Sequence, residues 1–196
     1  MKKRIISQHE MTALVSKIAR DIHLSQWKPD YIVGLTRGGL IPAVMLSHYL
    51  NVPMWTLNVS LRDGAGGESN TWMAEDALGT EPSIEVADEN DIGAVLDAAA
   101  SLLEMPEAPG YKNILIVDDI NDTGATFNWI IDDWKSSCFP DHPSWDHVWN
   151  NNVKFAVLVD NQASKCNVKM DYSGMEVNKA EEDVWIDFPW EDWWAK

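Results

Sequence analysis

Cations are scarce in this chain. Fifteen Lys and Arg stand against 31 Asp and Glu, a formal net charge of −16 over 196 residues. Between Asp63 and Gly110 there are twelve Asp or Glu and no Lys or Arg. Nucleic-acid binding rests on Lys and Arg at phosphates, so this acidity excludes nucleic acid as a partner. It is equally unsuited to an anionic membrane. Cysteine is almost missing: Cys138 and Cys166 lack metal-ligand spacing and make no disulfide framework. A reducing cytoplasm is the expected compartment. No apolar run reaches the length of a bilayer span. The opening MKKRIISQHEMTALV has no signal-peptide core. His142 and His147 stand outside any metal-binding pattern and read as surface residues.

Against that background, one segment is dense in information: Ile114 to Thr126, ILIVDDINDTGAT. Ile114, Leu115, Ile116 and Val117 read as a buried parallel strand. Asp118 and Asp119 follow where that strand is expected to end. The loop Asp122-Thr123-Gly124-Ala125-Thr126 then leads into a helix expected from about Phe127 to Lys135. Open α/β sheets bind ligands beyond the carboxyl ends of their strands. A helix start there offers free N–H groups and the positive end of a dipole, which suits a phosphate. Gly124 permits close approach, and the hydroxyls of Thr123 and Thr126 can donate to phosphate oxygens. The paired carboxylates suit sugar hydroxyls, or Mg²⁺ through water. The segment reads as a sugar-phosphate site.

A second strand–turn–helix unit lies earlier. Tyr31 to Leu35 is a short apolar strand, Thr36-Arg37-Gly38-Gly39 a turn, and Leu40 to Leu50 an apolar helix with Pro42 in its first turn. Arg37 is the cation of the turn, and glycine N–H groups can form an anion nest.

Around these units the organisation is legible. Met11, Leu14, Val15, Ile18 and Ile22 mark one face of a helix from His9 to Leu24. Strands are expected at about Pro53 to Val59, at Val153 to Val159 and at Val184 to Asp187. The segment 61–110 interrupts the alternation as an acidic insertion. It holds the glycine-rich turn Gly64 to Gly67, the stretch Asn70 to Leu78, and an expected helix from Asp91 to Leu103. Ser136 to Asn152, rich in Pro, Asp, Asn and Trp, reads as a loop or short excursion. Trp190, Trp193 and Trp194 read as core residues. Alternating strands and helices give an α/β chain of one domain over 1–196, with a mainly parallel central sheet flanked by helices.

The two strand–turn–helix units together resemble type I phosphoribosyltransferases, whose 5-phosphoribosyl-1-pyrophosphate (PRPP) motif is an apolar strand, Asp-Asp, two residues, then Asp-Thr-Gly-x-Thr. Val184-Trp185-Ile186-Asp187-Phe188-Pro189-Trp190-Glu191 resembles the xanthine-guanine and hypoxanthine branch of that family. The resemblance spans about 6–190 and implies the family's fold, with 61–110 as a flexible loop over the reaction centre or an appendage for subunit contacts. It implies a small base-recognition hood over 160–196.

It also implies roles. Asp118, Asp119, Asp122, Thr123, Gly124, Ala125 and Thr126 would hold ribose and 5′-phosphate. Thr36, Arg37, Gly38 and Gly39 would hold pyrophosphate. Asp122 would be the acid/base, since a part-buried carboxylate can take the proton the base loses; an N-cap role is its alternative. Asp122 and Arg37 are the catalytic candidates. Trp185 would stack on the base, while backbone groups of Trp185 and Ile186 read its edge. Mg²⁺ would be the cofactor, met by Asp118, Asp119 and Asp187 directly or through water. Where the purine enzymes have a Lys contacting the 6-oxo group, this chain has Asn161, able to donate or accept; Lys165 is the nearby cation.

The implied activity is transfer of 5-phosphoribose from PRPP to guanine, xanthine or hypoxanthine, giving a nucleoside 5′-monophosphate and pyrophosphate, in a homo-oligomer. A non-catalytic PRPP or nucleotide sensor of the same fold remains an alternative, as does a transferase for another base.

Overall fold

A computed structural model describes residues 2–61, 66–79 and 110–195. The helix expected over 91–103, and most of the acidic insertion with it, lies outside the described residues.

Ser7 opens the first helix, α1 (Gln8–Ser25), its hydroxyl accepting from the Glu10 N–H at 3.1 Å. α1 buries Met11, Val15, Ile18, Ala19 and Ile22, one face at helical spacing. Then come β2 (Tyr31–Thr36), α2 (Leu40–Leu50) and β3 (Met54–Ser60). β3 turns back into β4 (Gly66–Gly67), which pairs antiparallel with Val59 and Ser60. α3 (Thr71–Leu78) follows, capped by the Asn70 side chain. The second half runs β5 (Ile114–Asn121), α4 (Ala125–Ser137), α5 (Ser144–His147), β6 (Val153–Asn161), β7 (Tyr172–Val177) and β8 (Val184–Asp187). The chain's opening strand, β1 (Lys2–Ile5), pairs parallel with β8 in a separate two-stranded sheet.

The main sheet has the order β4-β3-β2-β5-β6-β7, with β3, β2, β5, β6 and β7 mutually parallel. Its strands carry apolar residues on both faces, as a sheet covered on both sides requires. Tyr31, Val33, Leu35, Ile114, Ile116, Phe155 and Val157 meet α3 and α4 on one face. Ile32, Leu115, Val117, Ala156 and Leu158 meet α1 and α2 on the other. Among the described residues, no helix is long and apolar enough to cross a membrane.

Three expectations need correction. β5 does not end at Asp118 and Asp119: it continues to Asn121, because β6 goes on pairing with it through Ile120↔Val159 and Asn121↔Asp160. Segment 136–152 is structured. Trp145 and Trp149 stack at 5.3 Å, Trp145 Nε1 donates to the Cys138 and Phe139 carbonyls, and Val148–Asn152 forms a π-helical turn. Buried Asn152 anchors that turn by donating to the carbonyls of Ala77 and Lys112. Trp193 and Trp194 are 68% and 71% exposed, not core, whereas Trp190 stacks on buried Phe188. β1 and β7 went unread: Lys2–Ile5 is exposed along its length, and Tyr172–Val177 carries a Gly and a Glu inside a short strand.

Candidate active site

In sequence order the parallel strands run 2-1-3-4-5, so the chain reverses direction across the sheet between β2 and β5. Ligands of open α/β sheets bind at that switch point. Here the geometry makes a notch. β2 and β5 pair only from Tyr31↔Ile114 to Gly34↔Val117, while β5 runs on beside β6. Asp118 and Asp119 therefore lie where β5 has lost its β2 neighbour.

The turn after β2 faces the same notch. Thr36 donates its hydroxyl to Asn58 Oδ1 at 2.8 Å, tying the tips of β2 and β3. The Thr36–Arg37 peptide is cis and Arg37 is exposed. Gly38 and Gly39 are demanded by packing. A Cβ on Gly38 would fall within the Asp119 carboxylate, and one on Gly39 would lie 2.8 Å from Asp118 Cα. The glycine turn and the acidic pair, 80 residues apart in sequence, are thus in contact. Asp118 Oδ1 also accepts from the Asp119 N–H at 2.9 Å.

Beyond the pair, Thr123 and Gly124 lead into α4. Gly124 has φ +86°, a left-handed value that disfavours side chains, and a Cβ there would strike the Cys166 backbone. Gly124 brings no capping side chain to α4; Thr123 Oγ1 accepts from the Ala125 N–H at 3.3 Å, and the following N–H groups of the first turn suit an anion. The loop after β6 is fastened against this turn: the Lys165 N–H donates to the Thr123 carbonyl at 3.1 Å, and Asn128 Nδ2 to the Lys165 carbonyl at 3.0 Å. Burial pushes the Cys166 thiol up from its ordinary value, which keeps it protonated beside the loop.

Asp122 sits past the end of β5. Its Oδ1 lies 2.9 Å from Lys179 Nζ, a half-buried ion pair with side chains 26% and 18% exposed. Lys179 was not anticipated, because it is 57 positions from its partner with no local motif around it. Asn161 does not present its amide to an open site as expected. Its Nδ2 donates to the Asp122 carbonyl at 2.7 Å, and its Oδ1 accepts from the N–H of Ala163 at 3.2 Å and of Lys179 at 3.0 Å. Strand β6 carries Asn161 to a crossroads of three chain segments, and backbone polar groups there take up its side chain.

The hood residues divide. Trp185 is part-buried on β8, and Ile186 packs its side chain into the core. The Lys2 N–H donates to the Asp183 carbonyl and the Ile6 N–H to the Asp187 carbonyl. By the two-residue period of a strand, Trp185 also turns its backbone groups toward β1. Only Ile186, of the expected pair, turns its backbone the other way. Asp187 is buried on β8. Among the described residues no three His, Cys, Asp or Glu gather as a preformed metal site.

The family model for the phosphoribosyl transferase domain matches residues 2–192. The chain belongs to the phosphoribosyltransferase family. It is 21% identical over 201 residues to xanthine phosphoribosyltransferase 1 of Saccharomyces cerevisiae, covering 97% of this chain and 90% of that one. It is 24% identical over 178 residues to the hypoxanthine-guanine phosphoribosyltransferase of Schizosaccharomyces pombe, covering 86% and 79%. The crystal structure of a purine phosphoribosyltransferase from Pyrococcus horikoshii matches the fold with TM-score 0.58 and 23% identity, over 98% of this chain and 96% of that one.

Proposed function

We propose that this phosphoribosyltransferase moves 5-phosphoribose from PRPP to an oxopurine: guanine, xanthine or hypoxanthine. The observation that carries the reading is the contact of Gly38 with Asp119. It joins an anion-binding turn bearing Arg37 to a diol-binding carboxylate pair, as a substrate with pyrophosphate on C1 beside its hydroxyls requires.

In this reading the 5′-phosphate lies on the N–H groups and hydroxyls of Thr123 to Thr126. Binding energy there is remote from the breaking bond and can be spent on orienting it. Asp118 and Asp119 accept from the ribose hydroxyls, and their charge favours the cationic character of the ring as C1 loses its leaving group. Arg37 and the turn N–H groups stabilise the departing pyrophosphate. The base nitrogen forms its bond to C1 as the C1–O bond breaks, the electron pair leaving on pyrophosphate. The proton lost by the base passes to Asp122.

A divalent ion fits the donor set: Mg²⁺ is held by one or two carboxylates together with substrate oxygens and water, and Asp118 and Asp119 supply that. When bound, Mg²⁺ neutralises pyrophosphate charge.

The test is product formation from PRPP and Mg²⁺ with each of guanine, hypoxanthine, xanthine and adenine. We expect nucleotide from at least one oxopurine, and a fall in kcat of about 10²–10⁴-fold in Asp122→Asn. Binding of PRPP or nucleotide without any product would sink the transferase reading and leave a sensor.

A further inference from the structure

We propose that Lys179 determines which purine is used and that Asn161 is the positioning residue that sets it in place. This rests on the oxopurine transferase reading. The two side chains belong to one assembly. Asn161 grips the carbonyl of Asp122 with its amide and the N–H of Lys179 with its carbonyl oxygen. It thereby fixes the backbone on both sides of the Asp122–Lys179 ion pair, whose charged atoms are 2.9 Å apart. The pair stands past the carboxyl ends of β5 and β7, on the side of the sheet where the glycine turn and the acidic pair open.

An ammonium group donates three hydrogen bonds and accepts none. Beside the carboxylate that takes the base's proton, it can serve a ring carbonyl but not an exocyclic amino group. Guanine, hypoxanthine and xanthine carry a carbonyl at C6, whereas adenine carries an amino group there. With no base present, Lys179 is paired with Asp122. When a base or nucleotide binds, the ammonium can keep Asp122 on one N–H and donate another to the ring oxygen, and that contact remains once Asp122 has taken the ring proton. Lys179 has four rotatable bonds for that adjustment, while its backbone stays clamped by Asn161. A site that hydrogen-bonds a defined group rejects analogues lacking it.

The experiment compares wild type, Lys179→Gln and Lys179→Arg with each of the four bases at saturating PRPP. Binding of GMP and AMP to the same three proteins is measured by calorimetry. Far-ultraviolet circular dichroism and the unfolding midpoint check that each variant folds. In Lys179→Gln we expect KM for the preferred oxopurine to rise about tenfold or more, as for a lost charge-assisted hydrogen bond. KM for PRPP should change less than about twofold, and the oxopurine-to-adenine preference should shrink. Lys179→Arg, which keeps the charge, should recover part of the preference. A KM unchanged from wild type for every base, with the preference intact, in a folded Lys179→Gln would overturn the proposal and leave a structural ion pair. If wild type forms no product, the transferase reading falls, and calorimetry decides about Lys179. A GMP-over-AMP preference erased by Lys179→Gln supports the proposal. A preference that survives, or no preference in wild type, overturns it.

Discussion

On the β2–β5 side of the cleft, position is set by backbone contact: Gly38 and Gly39 let the turn after β2 lie directly on Asp118 and Asp119. On the β5–β7 side, position is set by a side chain, Asn161, which bonds three backbone groups and through them holds Asp122 and Lys179. The first arrangement is rigid because there is no spare volume to give up. The second depends on polar groups that are costly to leave unpaired but lie near solvent. The same cleft therefore has one side that fails by overpacking and another that fails by losing hydrogen bonds. On our reading these are its sugar-phosphate and base sides.

The most damaging way to break that contrast is Gly38→Ala. The added methyl collides with the Asp119 carboxylate, so either the turn or the acidic pair must move. A displacement of about 1 Å at a reacting centre costs on the order of 10²-fold in rate, and overpacking typically costs about 1–3 kcal/mol. We expect kcat/KM for PRPP to fall by about 10²-fold. Steady-state kinetics with PRPP varied and the base saturating checks this.

Asn161→Ala addresses the other side. It strips a partner from the Asp122 carbonyl and from the N–H groups of Ala163 and Lys179. Groups left unsatisfied cost about 1–3 kcal/mol. Chemical denaturation should show a loss of that order. The catalytic effect should be on KM for the base, about tenfold, with KM for PRPP nearly unchanged. A variant that weakens PRPP as strongly as the base would show that the two sides are not separately held.

The two sides also differ in how far they could be read from sequence. The turn Thr36 to Gly39 and the run Asp118 to Thr126 are contiguous, and each carries its own strand, glycine and helix start. Local pattern is enough to recover them. The contact between them follows from strand order, which adjacency in sequence does not reveal. Lys179 had no such signal: its partner is 57 positions away, and its role depends on where β7 ends. β7 itself was missed, since a strand of mixed polarity with an internal glycine has little periodicity. Asn161 stands out in the sequence, yet its amide is turned to backbone, because N–H and C=O groups from three segments converge on it. The Trp145–Trp149 stack shows the converse: composition points to a loop, but an i,i+4 aromatic pair together with the Trp145 and Asn152 hydrogen bonds holds helical turns there.

A smaller effect sharpens the comparison by probing β6 at its other end, away from the cleft. Asp171 accepts from the Phe155 N–H at 2.9 Å, with Lys154 Nζ 3.9 Å from its other oxygen. Burial raises its pKa above the ordinary carboxylate value, outweighing the Phe155 hydrogen bond and Lys154. The native state therefore binds this proton more readily than the unfolded chain does. The resulting stability is fully present in acid, below the unfolded carboxylate value, and is lost as pH rises through the raised native value. Asp171→Asn keeps an acceptor for Phe155 and removes the buried charge, at the expense of an ion pair of the weak, part-exposed kind. Near neutral pH the variant should unfold at an equal or slightly higher temperature, by less than about 3 °C, since roughly 1 kcal/mol moves the midpoint 2–4 °C in a domain this size. The difference should shrink as pH falls through the raised native value and wild-type Asp171 takes up its proton, and the base preference should not move with it. A variant less stable at neutral pH would mean that Lys154 contributes more than burial costs, and that this end of β6, unlike the Asn161 end, is held by its charges.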